Sequence, residues 1–181
     1  MTSLTAIRIS SLEETNRRIQ RQIDSILETG KRNEEKFLWL RDLVLILMDV
    51  CDMEQLDEVL GCDLIVRKEI DETRLFLWDV NLGHSYKHIR SAEELGPMER
   101  RVCDLVQPVC ETIRLSEYEL LFNKSMTEPT SVALVPIADS GVQGLLTIGS
   151  EDPMHFRLDM STLFLDFLGR VVGRTVAKIY H

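Results

Sequence analysis

Ser131-Val132-Ala133-Leu134-Val135-Pro136-Ile137-Ala138, then Asp139-Ser140-Gly141, then Val142-Gln143-Gly144-Leu145-Leu146-Thr147-Ile148-Gly149, is a pair of strand-forming runs around a turn. Aliphatic and β-branched residues suit a pleated, buried surface, and a short polar stretch ending in glycine reverses the chain, so this segment predicts an antiparallel hairpin. Downstream, Met160, Leu163, Phe164, Phe167, Leu168, Val171, Val172 and Thr175 recur at helical spacing and predict a closing helix over it. Upstream, Thr73 to Val80 reads as a strand, Asn81-Leu82-Gly83 as a turn, and His84 to Ile89 as a second strand. Between these pairs, residues 96 to 123 predict a short helix after Pro97 and another around Glu117 to Phe122. Asp52-Met53-Glu54-Gln55 reads as a capped helix start, with Leu56, Val59, Leu60 and Leu64 continuing at helical spacing. The order predicts an α+β fold, an antiparallel sheet flanked by helices.

In front of it stands a different pattern. Ile9, Asn16, Ile23, Gly30, Phe37 and Val44 fall at one heptad position, and Leu12, Ile19, Ile26, Asn33, Leu40 and Leu47 at the other. That is a coiled-coil seam on a long N-terminal helix, and the charged residues between its members form a solvated face. Asn16 favours a two-stranded parallel pairing, because its amide meets its own copy and is costly against an aliphatic side chain. A homodimer is therefore expected, with Ile9, Leu12, Asn16, Ile19, Ile23 and Ile26 as its interface. Beyond Gly30 and Asn33 the helix turns apolar on nearly all sides, which divides the chain into a coiled-coil helix over 1–36 and a globular domain over 37–181.

Composition narrows the function. The 181 residues are 44% hydrophobic and 28% charged, with 9 Gly and 5 Pro, which fits a packed chain and excludes wholesale disorder. The net charge is −9; residues 1–36 hold 7 of the 21 basic and 6 of the 30 acidic residues, so the excess acid lies in the globular part. Such a field repels nucleic acid and anionic membranes. No apolar run reaches the ~20 residues of a membrane span, and no signal-peptide pattern opens the sequence. Cys51, Cys62, Cys103 and Cys110 form no Cys-x-x-Cys and sit among apolar neighbours, as reduced thiols do, so a cytoplasmic location is expected.

The residues Asn33-Glu34, Leu121-Phe122, Ser131 to Ile137, Gly144-Leu145-Leu146, Gly149 to Pro153 with Phe156, and Met160 to Leu165 resemble a GAF domain, the small-molecule sensory module. More narrowly, they resemble the bacterial family known as domain of unknown function 484. Glu111 and Ser161 depart from it, standing where that family tends to carry glycine. The resemblance implies a sensory or regulatory module that binds a small molecule of unspecified identity and signals through helices. No output domain follows in this sequence, so a separate protein partner is expected.

Several residue groups are candidates for chemistry. Small and hydroxylated residues leave room in a strand wall, so Ser131, Ala133 and Thr147 are read as one face of a pocket, with Tyr118 and Phe122 as a lid. By the resemblance, Cys103 and Cys110 belong to an insertion that walls the ligand cavity; Cys110 joins the candidate ligand residues. Arg100, Arg101 and Arg114 lie near enough in sequence to activate a thiolate, which leaves a thiol-dependent reductase as a lesser alternative to inert buried thiols. His84, Tyr86 and His88 alternate, but no third ligand is visible nearby, so no metal site is assigned. No catalytic residue and no cofactor is assigned. The contrasting reading is a dimeric scaffold whose pocket has filled with side chains. Gly169, Gly173 and Ala177 form a smooth stripe expected to pack on the first helix or on a partner, beside a solvated basic stripe of Arg170, Arg174 and Lys178.

Overall fold

A computed structural model describes residues 4–62, 70–128, 130–139, 141–156 and 162–180. Leu64, Ser140, Met160 and Ser161, used in the sequence reading, lie outside the described residues. The chain divides into two compact units, Met1–Asp42 and Leu43–His181. That boundary falls six residues beyond the expected 36/37 division.

The first unit consists of helix α1, which spans Leu4–Asp49 and continues into the second unit. Within the first unit Ile9, Leu12, Ile19, Ile23 and Ile26 are all exposed, as is Asn16. Within the second, Leu43 and Leu47 are buried while Leu45, Ile46 and Met48 are exposed, so the apolar end of α1 buries one side only. Its last turn is held from above: the Lys178 ammonium donates to the carbonyls of Met48 and Val50, both at 2.8 Å. A cation there satisfies orphan carbonyls and complements the helix dipole. The basic stripe thus contributes one structural lysine.

Helix α2 covers Met53–Cys62. It starts where expected, with the Asp52 carboxylate accepting from the Gln55 N–H at 2.8 Å, an N-cap that satisfies an otherwise orphan donor. Five strands follow: β1 Glu72–Leu77, β2 Ile89–Ser91, β3 Val109–Ile113, β4 Thr130–Asp139 and β5 Val142–Ser150. They form one sheet in the order β2-β1-β5-β4-β3. All neighbours are antiparallel except β1 with β2, which run parallel.

Two expectations about strands fail here. His84 to Lys87 are not strand, and β2 begins only at Ile89. The reason is Asp57 on α2, whose carboxylate accepts the N–H groups of Lys87, His88 and Ile89 at 3.1, 2.5 and 3.0 Å. Donors turned toward one carboxylate are not free for a ladder partner. The second failure is β3, hidden in the segment read as helical insertion. Its residues pair with β4 from Val109↔Leu134 to Ile113↔Thr130, and only Cys110 and Ile113 are buried.

The two faces of the sheet are covered by different elements. A short 3-10 segment Ala92–Met98, helix α3 Glu99–Val102 and helix α4 Leu115–Phe122 lie over one face, where Leu95, Met98, Tyr118, Leu121 and Phe122 pack with Phe76, Val132, Leu134 and Leu145. Helix α5, Leu163–Tyr180, and α2 lie over the other. The buried line of α5 is Leu165, Leu168, Val172 and Val176, whereas Phe167, expected to cover the hairpin, is 46% exposed. Gly169 and Gly173 pack on β4 and not on a helix: a Cβ at either would stand 2.8 Å from Val135 or Ile137. The smooth stripe is what lets α5 lie close to the sheet.

Candidate functional site

The hairpin register decides which candidate residues can meet. Asp139 pairs with Val142, so only two residues lie in the turn, and every even-numbered position of β4 opposes an odd-numbered position of β5. Directly opposed residues share a face. Leu134 therefore shares its face with Thr147, and Ala133 shares the other with Ile148. Ser131, Ala133 and Thr147 do not form one wall, as a three-residue turn would have required; Thr147 faces the α4 side and the other two face the α5 side. Cys110, opposite Ala133 on β3, joins the α5 side.

The six residues thus fall into two groups of three. On the α4 side, Thr147, Tyr118 and Phe122 are buried together, and the two rings lie 4.6 Å apart between centroids, tilted by 46°. Gly149 is what admits them, since a Cβ there would lie 2.9 Å from both the Phe122 ring and the Tyr118 hydroxyl. The Thr147 hydroxyl donates to the Arg74 carbonyl at 3.2 Å. The Tyr118 hydroxyl is fully buried without a hydrogen-bond partner among the described residues, and burial pushes its pKa far up. Tyr118 and Phe122 are core residues here and do not act as an exposed lid.

On the α5 side, the Ser131 hydroxyl donates to the Asp152 carbonyl at 2.6 Å and accepts from the Phe156 N–H at 3.2 Å. One side chain thereby fastens the loop after β5 to the sheet. Ala133 is buried beside it, and burial pushes the Cys110 thiol up, which works against a thiolate. Cys103, in contrast, is exposed just past α3. Arg101 is committed to Glu111 and Glu117.

A polar knot at the β1 edge escaped the sequence reading. Arg74 is buried, and its guanidinium donates to the Thr73 carbonyl at 2.7 Å, to the Phe122 carbonyl at 3.1 Å, and lies 3.1 Å from His88 Nδ1. Glu72 supplies a carboxylate at 3.5 Å. His88 Nδ1 lies 3.2 Å from the Thr73 carbonyl as well, and burial ahead of every other cause lowers the imidazole pKa. Gly61 on α2 leaves the room for this ring: a Cβ there would lie well inside van der Waals contact with it. Arginine in the middle of an apolar strand, Thr73-Arg74-Leu75-Phe76-Leu77, is the signal that could have pointed here, because such a charge must be paired. His84 goes elsewhere, exposed against Glu54 at 3.5 Å and beside the Tyr86 ring. Among the described residues no group of three or more His, Cys, Asp or Glu is placed to hold a metal ion.

Fold and site together define an α+β domain, a five-stranded sheet between helical layers, on a chain that begins with a long helix. The chain belongs to the family described as "Protein of unknown function, DUF484", which matches it over residues 1–180. None of the curated proteins matches it. No helix among the described residues is long and apolar enough to cross a membrane.

Proposed function

We propose that this chain is a cytoplasmic homodimeric scaffold of regulatory type, paired through α1 and presenting its sheet domain to a separate protein partner. The observation that carries this reading is the exposed seam: Ile9, Leu12, Ile19, Ile23 and Ile26 stand in water at heptad spacing on one helix. Monomeric proteins rarely leave an apolar stripe of that kind uncovered, and Asn16 within it suits a matching copy. The interior supports a scaffold over an open sensor, because Ser131 and Thr147, the hydroxyls expected to greet a ligand, are spent on backbone carbonyls. The raised Cys110 thiol argues against thiol-dependent reduction at that position.

A second reading keeps the GAF-like sensor, and one observation favours it: the buried Tyr118 hydroxyl has no partner among the described residues. Such a group carries a desolvation cost that a small polar ligand could offset.

Sedimentation of the full chain tests the first reading. A dimer at micromolar concentration is expected, and Ile19→Asp with Ile23→Asp should convert it to a folded monomer. A wild-type chain that sediments as a monomer rejects the proposal. Native mass spectrometry of the same sample addresses the second reading, which requires a bound small molecule.

A further inference from the structure

Past Gly30 and Asn33 the first unit again exposes apolar side chains, at the seam position Phe37 and beside it. Phe37 is 67% exposed and Leu38 42%. They stand eleven residues beyond Ile26 and Leu27, which are 70% and 59% exposed. Eleven residues advance a straight α-helix by three turns and about 20°, so both pairs lie on one side of α1. The apolar stripe therefore resumes in phase after the polar break.

We infer that a second copy of the chain, parallel and in register, covers this stripe past the break as far as Phe37 and Leu38. The inference rests on the homodimer reading and specifies its extent and direction. Three observations on the helix select a second copy as the occupant. Asn16 interrupts the aliphatic positions with an amide whose best partner is itself. Arg8 and Glu13 flank the seam five residues apart, and in a parallel, in-register pair the Arg8 of one copy faces the Glu13 of the other. Both are exposed, and among the described residues no side-chain hydrogen bond or ion pair joins either to its own chain.

The third observation is Gly30. Glycine inside a helix is destabilising relative to alanine, yet a Cβ at Gly30 would meet nothing within 4 Å, so the chain's own packing gives no reason for it. On the stripe, its bare backbone leaves a hole that a partner helix can enter while the phase of the seam shifts. The pairing then continues to Phe37, where each copy meets the same residue of the other, with Leu38 on the flank of the seam.

Cross-linking in the full chain tests this. The exposed Cys51, Cys62 and Cys103 are replaced by serine, and Ile23→Cys or Phe37→Cys is introduced singly, followed by mild oxidation and sedimentation of the unoxidised samples. Covalent dimers at both positions, in most of the protein, are expected. If Ile23→Cys cross-links and Phe37→Cys does not, the inference falls and the homodimer reading stands. A dimer by sedimentation that cross-links at neither position overturns the parallel register, and again only the inference falls. A monomer overturns both. As a check independent of sulfur chemistry, Phe37→Glu with Leu38→Glu should weaken dimerisation at least tenfold while helical content by circular dichroism is retained; a change below twofold overturns the inference.

Discussion

Two buried polar residues of the domain respond to change in opposite ways. His88 is held neutral between Gly61 and Arg74, with its pKa lowered chiefly by burial and further by Arg74 and Lys87, while the Thr73 carbonyl and Asp57 act in the other direction. An unfolded histidine takes up its proton near pH 6.5. The unfolded state thus binds more protons below that value, and the stability due to neutral His88 is complete above about pH 6.5 and lost as pH falls through the folded pKa. Urea midpoints should drop between about pH 7.5 and pH 5.5, a window above the ordinary carboxylate range, and His88→Gln should flatten that slope. An equally steep slope in the variant would assign the effect to other groups. Thr147 responds to volume instead. It is fully buried on the face covered by α4, and Thr147→Phe should cost about 1–3 kcal/mol or more, as overpacking does. A thermal midpoint near wild type would mean that space exists beside Tyr118, and would favour the sensor reading.

At the scale of elements, the sequence announced its long-period features and hid its register. The hairpin, the closing helix and α2 were legible because aliphatic periodicity and an Asp52 cap are local signals. Pairing parity was not, since one residue more or less in the turn flips every side chain of a strand to the other face. Reading Asp139 as turn rather than strand was enough to place Thr147 beside Ser131. β3 is not legible because Val109-Cys110-Glu111-Thr112-Ile113 does not alternate, and five residues beside a predicted helix give little pattern of their own. β2 was placed too early because no local rule shows that Asp57, thirty residues upstream, captures the backbone of Lys87 to Ile89. The face of α5 shows the same limit: its apolar positions span more than one side, and only packing on β4 selects Leu168 over Phe167. Leu168→Ala should therefore cost about 2–5 kcal/mol, and Phe167→Ala under about 1 kcal/mol in denaturant unfolding. A reversed order would contradict the burial of that helix.

For the molecule as a whole, charge and apolar surface work against each other in the proposed dimer. Each copy carries −9, and all of the excess acid belongs to residues 37–181, since residues 1–36 carry one more basic than acidic residue. Pairing the helices brings two acidic domains onto one assembly, and like charges on separate bodies repel over a distance set by the ionic strength. From about 0.01 M to about 0.1 M salt the Debye length falls from about 30 to about 10 Å, so that repulsion is largely screened. The apolar seam is indifferent to so small an addition of sodium chloride. The cross-chain Arg8 to Glu13 pairs would weaken, but exposed pairs contribute only about 0.2–1 kcal/mol each. The net effect should follow the larger charge: the dissociation constant measured by sedimentation should fall by about threefold or more across this range, the direction expected when screened repulsion exceeds screened attraction. A dissociation constant that rises instead would locate the dominant electrostatics in attractive contacts between the helices. It would shift the weight of assembly from the apolar stripe to its charged flanks.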